Sequence, residues 1–233
     1  MSLKGKKILV TGGSLGIGKS IAQFAVQKGA EVVITGRDRQ RLEEAAKETG
    51  AIPFVADMAD RSTPKLTYDF VMGQFGKLDV LVNNAGIGKS ASLEDLTYEK
   101  FQEVFDVNVF GLAMLTSAFT PQFKKQKQGN IINIASTAAL KGYGNGSVYA
   151  SSKFALKGLT ECWRAELRPH NIRVIQINPS EVATAFGNPD RKEKEAADNK
   201  LRSEEIAHAV IAVLEMDHRG FVPELSVWAT NPF

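Results

Sequence analysis

Thr11-Gly12-Gly13-Ser14-Leu15-Gly16-Ile17-Gly18-Lys19-Ser20 follows an apolar run from Lys7 to Val10 and leads into an amphipathic helical pattern over Ile17 to Lys28. Strand, glycine loop and helix in that order make a phosphate-binding unit. Glycines permit a tight turn and close backbone approach, and the helix N-terminus faces the anion. Two spacings overlap in the stretch. Gly12-x-x-x-Gly16-x-Gly18 reads as a dinucleotide loop, differing from the commoner Gly-x-Gly-x-x-Gly. Gly13-x-x-x-x-Gly18-Lys19-Ser20 satisfies the P-loop pattern, with Lys19 for the β- and γ-phosphates and Ser20 for magnesium. A P-loop also needs an acidic magnesium partner at the end of another strand, and the candidate is Asp57, after the proline-broken run Ile52 to Val55. That alternative leaves Ser136, Tyr149, Lys153 and an asparagine cluster without a role, whereas the dinucleotide loop uses them all. Under it, Lys19 is an exposed residue in the first helical turn.

Outward from this loop, short β-branched runs alternate with helical patterns along the whole chain, the signature of repeated βαβ units and a parallel sheet. Strands are expected at Lys7 to Val10, Glu31 to Thr35, Ile52 to Val55, Val80 to Val82, Asn130 to Ile134, Arg173 to Asn178 and Leu225 to Trp228. Helices are expected at Ile17 to Lys28, Arg39 to Glu48, Pro64 to Phe75, Tyr98 to Lys124, Val148 to Arg168 and Glu204 to Glu215. Right-handed crossovers make this a doubly wound α/β three-layer sandwich on a sheet of about seven strands. Ligands then bind beyond the carboxyl ends of the strands.

With 233 residues, 43% hydrophobic and 24% charged, the chain suits one domain over residues 1–233. Its 29 basic and 26 acidic residues are interspersed, so neither a nucleic acid nor a membrane surface is the expected partner. The lone Cys162 and the scattered His170, His208 and His218 offer no metal site. The first apolar run is too short for a signal peptide or a membrane span, and the default location is cytoplasmic. Gly187 to Arg202 is rich in charge and poor in apolar anchors, and reads as a mobile flap or a solvated helix.

Tyr149-Ala150-Ser151-Ser152-Lys153, with Ser136 upstream, sets a phenol, an ammonium and a hydroxyl within reach of one carbonyl. Helical residues four apart share a face, so Lys153 stands one turn from Tyr149. At an effective dielectric of about 20 and about 5 Å, Coulomb's law gives roughly 3 kcal/mol favouring phenolate, about two pKa units downward. Taken alone, Tyr-x-x-x-Lys is also an ordinary packed helical pair.

In order along the chain stand Thr11-Gly12-x-x-x-Gly16-Ile17-Gly18, Asp57, Asn83-Asn84-Ala85-Gly86, Asn108, Ser136, Tyr149-x-x-x-Lys153, and Asn178-Pro179 with Val182 and Thr184. The ordered set resembles the short-chain dehydrogenase/reductase family in its compact single-domain branch, over essentially the whole length. The chain is similar in places, such as Arg173 to Thr184, to 3-oxoacyl-carrier-protein reductases. The resemblance implies a Rossmann-type fold, a nicotinamide cofactor, and hydride transfer between it and a carbonyl or alcohol carbon. It implies Tyr149 as general acid or base, Ser136 holding the substrate oxygen, Lys153 lowering the Tyr149 pKa and contacting the ribose, and Asn108 holding a water that links Lys153 to solvent. Without the resemblance Asn108 would read as a helix-kinking polar residue. Gly12, Ser14, Gly16, Ile17, Gly18, Asp57, Asn83, Ala85, Gly86, Pro179, Val182 and Thr184, with Tyr149 and Lys153, are implied cofactor contacts. Asp57 would accept from the adenine amino group or, more plainly, cap a helix. Asn83 would also brace neighbouring strands.

In register with the family, Gly36 stands at the acidic position that binds the NAD ribose, and Arg37 follows it. NADP is favoured, Arg37 pairing its phosphate, while NAD remains open through Asp38, which could instead cap the next helix. Ser180 replaces the usual glycine after Pro179, and the closing segment from Phe221 to Phe233 departs from the family's usual tail. The substrate is a small carbonyl or alcohol compound, with a 3-oxoacyl thioester, small ketones, sugars and quinones all open; its pocket would be walled by 87–92, 138–147 and a flap over 185–202. Phe101, Phe105, Phe119, Phe154 and Trp163 suggest a homodimer or homotetramer through the fourth and fifth crossover helices. Two other functions compete: a catalytically idle dinucleotide sensor, and a P-loop nucleotide hydrolase.

Overall fold

The computed structural model describes residues 2–188, 190–192 and 199–231. Seven parallel strands form one sheet: β1 (Lys7–Val10), β2 (Glu31–Gly36), β3 (Ile52–Val55), β4 (Val80–Asn83), β5 (Gly129–Ile134), β6 (Ile172–Pro179) and β7 (Glu224–Val227). Their order is β3-β2-β1-β4-β5-β6-β7. Proline is tolerated in β3 because that strand lies at the sheet edge and pairs with β2 alone. Trp228, expected within the last strand, lies beyond β7 and is 63% exposed.

Alternation along each strand splits the core between two faces. Ile8, Val10, Val32, Ile34, Ile132 and Ile175 pack with α1 (Gly16–Gln27), α2 (Arg39–Thr49) and α7 (Ser203–Glu215). Leu9, Val33, Leu81, Ile131 and Val174 pack on the other face with α3 (Thr63–Phe75), α5 (Leu112–Gln126) and α6 (Ser147–Leu167). With helices on both faces, the strands are apolar at successive positions, as parallel strands are. The strand order reverses between β1 and β4, so the loops after them part and open a cleft.

The helix expected over Tyr98 to Lys124 is interrupted. α4 (Tyr98–Phe105) passes into a π-helical turn, Asp106–Gly111, before α5 begins. Gly111 packs so tightly on the Met58 carbonyl oxygen that a Cβ there would collide with it. The wider turn also rotates Asn108 inward, fully buried. Tyr98–Gln126 is long and apolar enough to cross a membrane by composition, with a mean hydropathy of 1.3 over its most apolar window. Its Leu115, Phe119 and Phe123 are instead core residues. Phe119, expected on an apolar outer face, is therefore committed to the chain's own interior, whereas Phe110, Met114 and Phe154 are exposed. Of the expected flap over 185–202, residues 189 and 193–198 lie outside the described residues. Ala185 to Asn188, Asp190 to Lys192 and Asn199 to Arg202 form turns and a single bridge, Val182 to Leu201, with no helix among them.

Candidate active site

The cleft at the β1/β4 divergence is floored by the glycine loop. Gly12 and Gly16 adopt left-handed backbone, φ +65° and +51°, which disfavours any side chain. A Cβ on Gly12 would lie 2.9 Å from Ala85 Cα, and one on Gly18 would strike the Gly12 carbonyl oxygen and Asn84 Nδ2. Asn84 explains this closeness. Its Nδ2 donates to the Thr11 and Gly12 carbonyl oxygens at 2.9 and 3.1 Å, while Thr11 Oγ1 accepts from Asn84 N and Ala85 N, each at 3.0 Å. These bonds tie the loop after β4 to the loop after β1. Motif matching alone gave Asn84 no task; the unusual Asn-Asn pair at a strand end is the signal that could have revealed it.

The P-loop alternative gains no support. Lys19 Nζ pairs with Glu48 at 2.6 Å, and Ser20 Oγ donates to Ser203 Oγ at 2.8 Å, so both are engaged elsewhere in the chain. The second glycine pattern is a coincidence of spacing.

Gly12, Ser14, Gly16, Ile17, Arg37, Asp57, Ala85, Gly86, Ser136, Tyr149, Lys153, Pro179, Val182 and Thr184 all line one cleft. Gly18, Asn83 and Asn108 stand behind it. Asn83 Nδ2 donates to Thr116 Oγ1 at 3.0 Å and Asn133 Oδ1 at 2.9 Å, so its side chain braces α5 and β5 and is turned away from the cleft. Asp57 both lines the cleft and accepts from Ala59 N at 3.0 Å, closing its own turn. Asp38 caps α2, accepting from Arg41 N at 2.9 Å. Ser180 needs no left-handed backbone, and its amide donates to Val227 O at 2.9 Å, so the glycine-to-serine departure leaves the path of β6 intact.

Ser136, two residues beyond the end of β5, is extended and caps the short helical turn Thr137–Ala139, its Oγ accepting from Ala138 N at 3.1 Å. Tyr149 and Lys153 share one face of α6. Lys153 is buried, and its Nζ donates to Ile134 O at 3.0 Å, 5.7 Å from the centroid of the Tyr149 ring. Burial lowers the ammonium pKa to about 8. Burial raises the Tyr149 phenol to about 12; the Ser136 hydroxyl opposes that shift and the nearby Tyr143 reinforces it. The expected lowering of Tyr149 is therefore reversed. Desolvation of the buried phenolate outweighs Coulomb attraction to the ammonium here.

Asn108 Oδ1 accepts from Ile87 N at 2.9 Å, and its Nδ2 donates to Ile87 O at 2.9 Å and Ser152 Oγ at 3.0 Å. It thus grips the strand of backbone beside Gly86 from the π-helical turn. A Cβ on Gly86 would sit 3.3 Å from Asn108 Oδ1 and 3.7 Å from Lys153 Nζ, so this glycine keeps open the space where the three elements meet. Phe186, after β6, packs its ring 5.6 Å from that of Tyr149 and over Gly88. It was not singled out in the sequence.

A doubly wound sheet with a left-handed glycine loop at its switch point, facing a helical tyrosine and lysine, defines a nucleotide-dependent oxidoreductase site. The short chain dehydrogenase model matches residues 6–195, and the chain belongs to that family of oxidoreductases. It is 32% identical to the 3-oxoacyl-[acyl-carrier-protein] reductase FabG of Thermotoga maritima over 95% of each chain. Among solved structures, it is similar to an alcohol dehydrogenase of the archaeon Thermococcus sibiricus complexed with 5-hydroxy-NADP. That likeness has a TM-score of 0.89, 28% identity and 97% coverage of each chain. A 3-ketoacyl-(acyl-carrier-protein) reductase of Brucella melitensis complexed with NADH also has a TM-score of 0.89 and 28% identity, over the full length of both chains.

The residues present fit a nicotinamide dinucleotide. The glycine loop leaves backbone exposed where a Cβ would fill the cradle, and the cleft runs unbroken from Arg37 at one end to Tyr149 at the other.

Proposed function

We propose that the chain is an NADP-preferring carbonyl reductase acting on a small ketone or a 3-oxoacyl thioester, and that it runs the reverse oxidation with the same residues. The observation that carries this is the convergence of Ser136, Tyr149 and Lys153 on one cleft with the glycine loop. A bound nicotinamide would supply or accept the hydride. Gly12, Ser14, Gly16, Ile17, Asp57, Ala85 and Gly86 would hold the adenosine and pyrophosphate half, and Pro179, Val182 and Thr184 the other.

Ser136 Oγ would hold the substrate oxygen, and Tyr149 would give it a proton as the carbonyl carbon is reduced. A phenol held near pKa 12 is fully protonated at neutral pH, the state a proton donor needs. The nearby ammonium of Lys153 would stabilise the phenolate left behind, and Asn108 would sustain proton return through a water near Gly86. Arg37 favours NADP, because Asp38, the rival NAD ligand, is engaged at the α2 cap and with Arg41 at 3.3 Å. The similarity to 3-oxoacyl reductases supports the thioester substrate.

The exposed Phe110, Met114 and Phe154 support self-association through α5 and α6, and a single free, exposed Cys162 suits a reducing cytoplasm. A substrate panel of 3-oxoacyl thioesters and ketones, followed by NADPH absorbance and repeated with NADH, tests the whole. Consumption of NADPH with a member of the panel is the expected result; a preference for NADH would reverse the nucleotide assignment, and no oxidation of either cofactor by any compound would oppose the substrate class.

A further inference from the structure

The turn after β6 carries an arginine at the far end of the cleft from Tyr149. Arg191 is one of few non-glycine residues in left-handed backbone, φ +53°. It is half-buried and lines the same cleft as Arg37, Asp38 and Arg41. Burial, and then the charges of Arg37 and Arg41, lower its pKa, so both guanidiniums are close enough to act on it. Among the described residues they make one ion pair, Arg41 with Asp38 at 3.3 Å. Three guanidiniums line this cleft against two carboxylates, Asp38 and Asp57, which leaves it net positive, and a phosphate dianion is the ligand that answers that charge.

The described residues of this turn bond to one another. Asn188 O accepts from Arg191 N at 3.1 Å, Asn188 Oδ1 accepts from Asp190 N at 3.1 Å, and Asn188 Nδ2 donates to Lys192 O at 2.9 Å. Five residues earlier, Phe186 lies against Tyr149. Five residues reach at most about 18 Å. One short piece of chain therefore touches the proton donor at one end and the arginine cluster at the other. Residues with non-glycine left-handed backbone concentrate at ligand clamps, where the surroundings over-determine them.

We propose that Arg191 is a third ligand, beside Arg37 and Arg41, for the phosphate that distinguishes NADP from NAD, so that the turn walling the substrate side reads nucleotide identity. This rests on the NADP preference proposed above.

The test is direct binding, by titrating intrinsic fluorescence with NADPH and separately with NADH. Wild type is compared with Arg191→Ala, Arg191→Lys and Arg191→Gly, the last removing the side chain while suiting the backbone. Loss of a charge-assisted bond to phosphate predicts that Arg191→Ala and Arg191→Gly weaken NADPH roughly tenfold or more and NADH less than about twofold. Arg191→Lys should recover most of the loss. Equal weakening of both nucleotides, or of neither, in a wild type that prefers NADPH would overturn the role of Arg191 and leave the NADP preference standing. A wild type that prefers NADH would overturn both.

Discussion

Lys153 Nζ donates to the carbonyl oxygen of Ile134 at 3.0 Å, holding a buried ammonium 5.7 Å from the centre of the Tyr149 ring. The bond joins Ile134, the last residue of β5 and two residues before Ser136, to the second turn of α6. It fixes the cation on the cleft floor at a cost in solvation.

That cost sets a pH dependence. The folded-state pKa of Lys153 falls from 10.5 to about 8, so between those values the unfolded chain holds a proton that the folded chain has lost. Stability contributed by this group therefore rises with pH across the window, and the penalty is complete below it. At pH 7 the penalty is about 3 kcal/mol. Lys153→Met removes it but strips the Ile134 carbonyl of its donor, which costs about 1–2 kcal/mol. A net stabilisation of about 1–2 kcal/mol is expected by urea denaturation at pH 7, vanishing between about pH 9 and pH 10 and turning into a destabilisation of about 1–2 kcal/mol above the unfolded-state pKa, together with loss of turnover.

In the reductive direction, kcat/KM should fall above about pH 8 as Lys153 loses its proton, with no separate break from Tyr149 until its much higher pKa of about 12. A pH–rate profile on a confirmed substrate checks this. A profile flat through pH 9.5 would remove the lysine charge from the mechanism.

Asn108→Ala would orphan both backbone groups of Ile87 and release Ser152 Oγ. The two Ile87 bonds are part-buried and Ser152 Oγ keeps its bond to Tyr149 O, so each orphaned backbone group costs about 1–2 kcal/mol and a destabilisation of roughly 2–4 kcal/mol is expected in chemical denaturation. A loss below about 0.5 kcal/mol would mean that the loop after β4 is held by other contacts.

Two glycines behind the cleft lining should respond in opposite ways. In Gly18→Ala the new methyl meets the Gly12 carbonyl and the Asn84 amide, groups already bonded at 3.1 Å, so the phosphate loop must distort. NADPH affinity should drop by roughly tenfold or more. In Gly88→Ala the methyl meets only the ring of Phe186, which is 41% exposed and can swing aside, and cofactor binding should change less than about twofold. Nucleotide titration of the two variants distinguishes them.

Much of this was legible in the chain. β1 and β3 begin and end where the apolar runs do; β1, buried from Ile8 to Val10, announces itself as continuous hydrophobicity, and the half-buried edge strand β3 reads as a short apolar run between Gly50 and Asp57. The cleft contacts followed from ordered motifs. What was not legible depends on three-dimensional crowding. The interruption at Asp106–Gly111 arises from the contact of Gly111 with Met58, more than fifty residues away, which no helical periodicity reveals. The Tyr149 shift has the opposite sign to the expectation because burial is invisible to spacing. Arg191 lay in a segment that read as mere charge, since nothing local indicates that it faces Arg37 and Arg41.

The most direct test compares wild type with Tyr149→Phe, measuring NADPH oxidation on a substrate that wild type reduces and NADPH affinity by titration. Removing only the phenolic hydroxyl should lower kcat by at least about 100-fold, the contribution of a positioned general acid, while NADPH affinity changes less than about threefold. Unchanged turnover in Tyr149→Phe would contradict the account, because the group assigned to deliver the proton would then be dispensable.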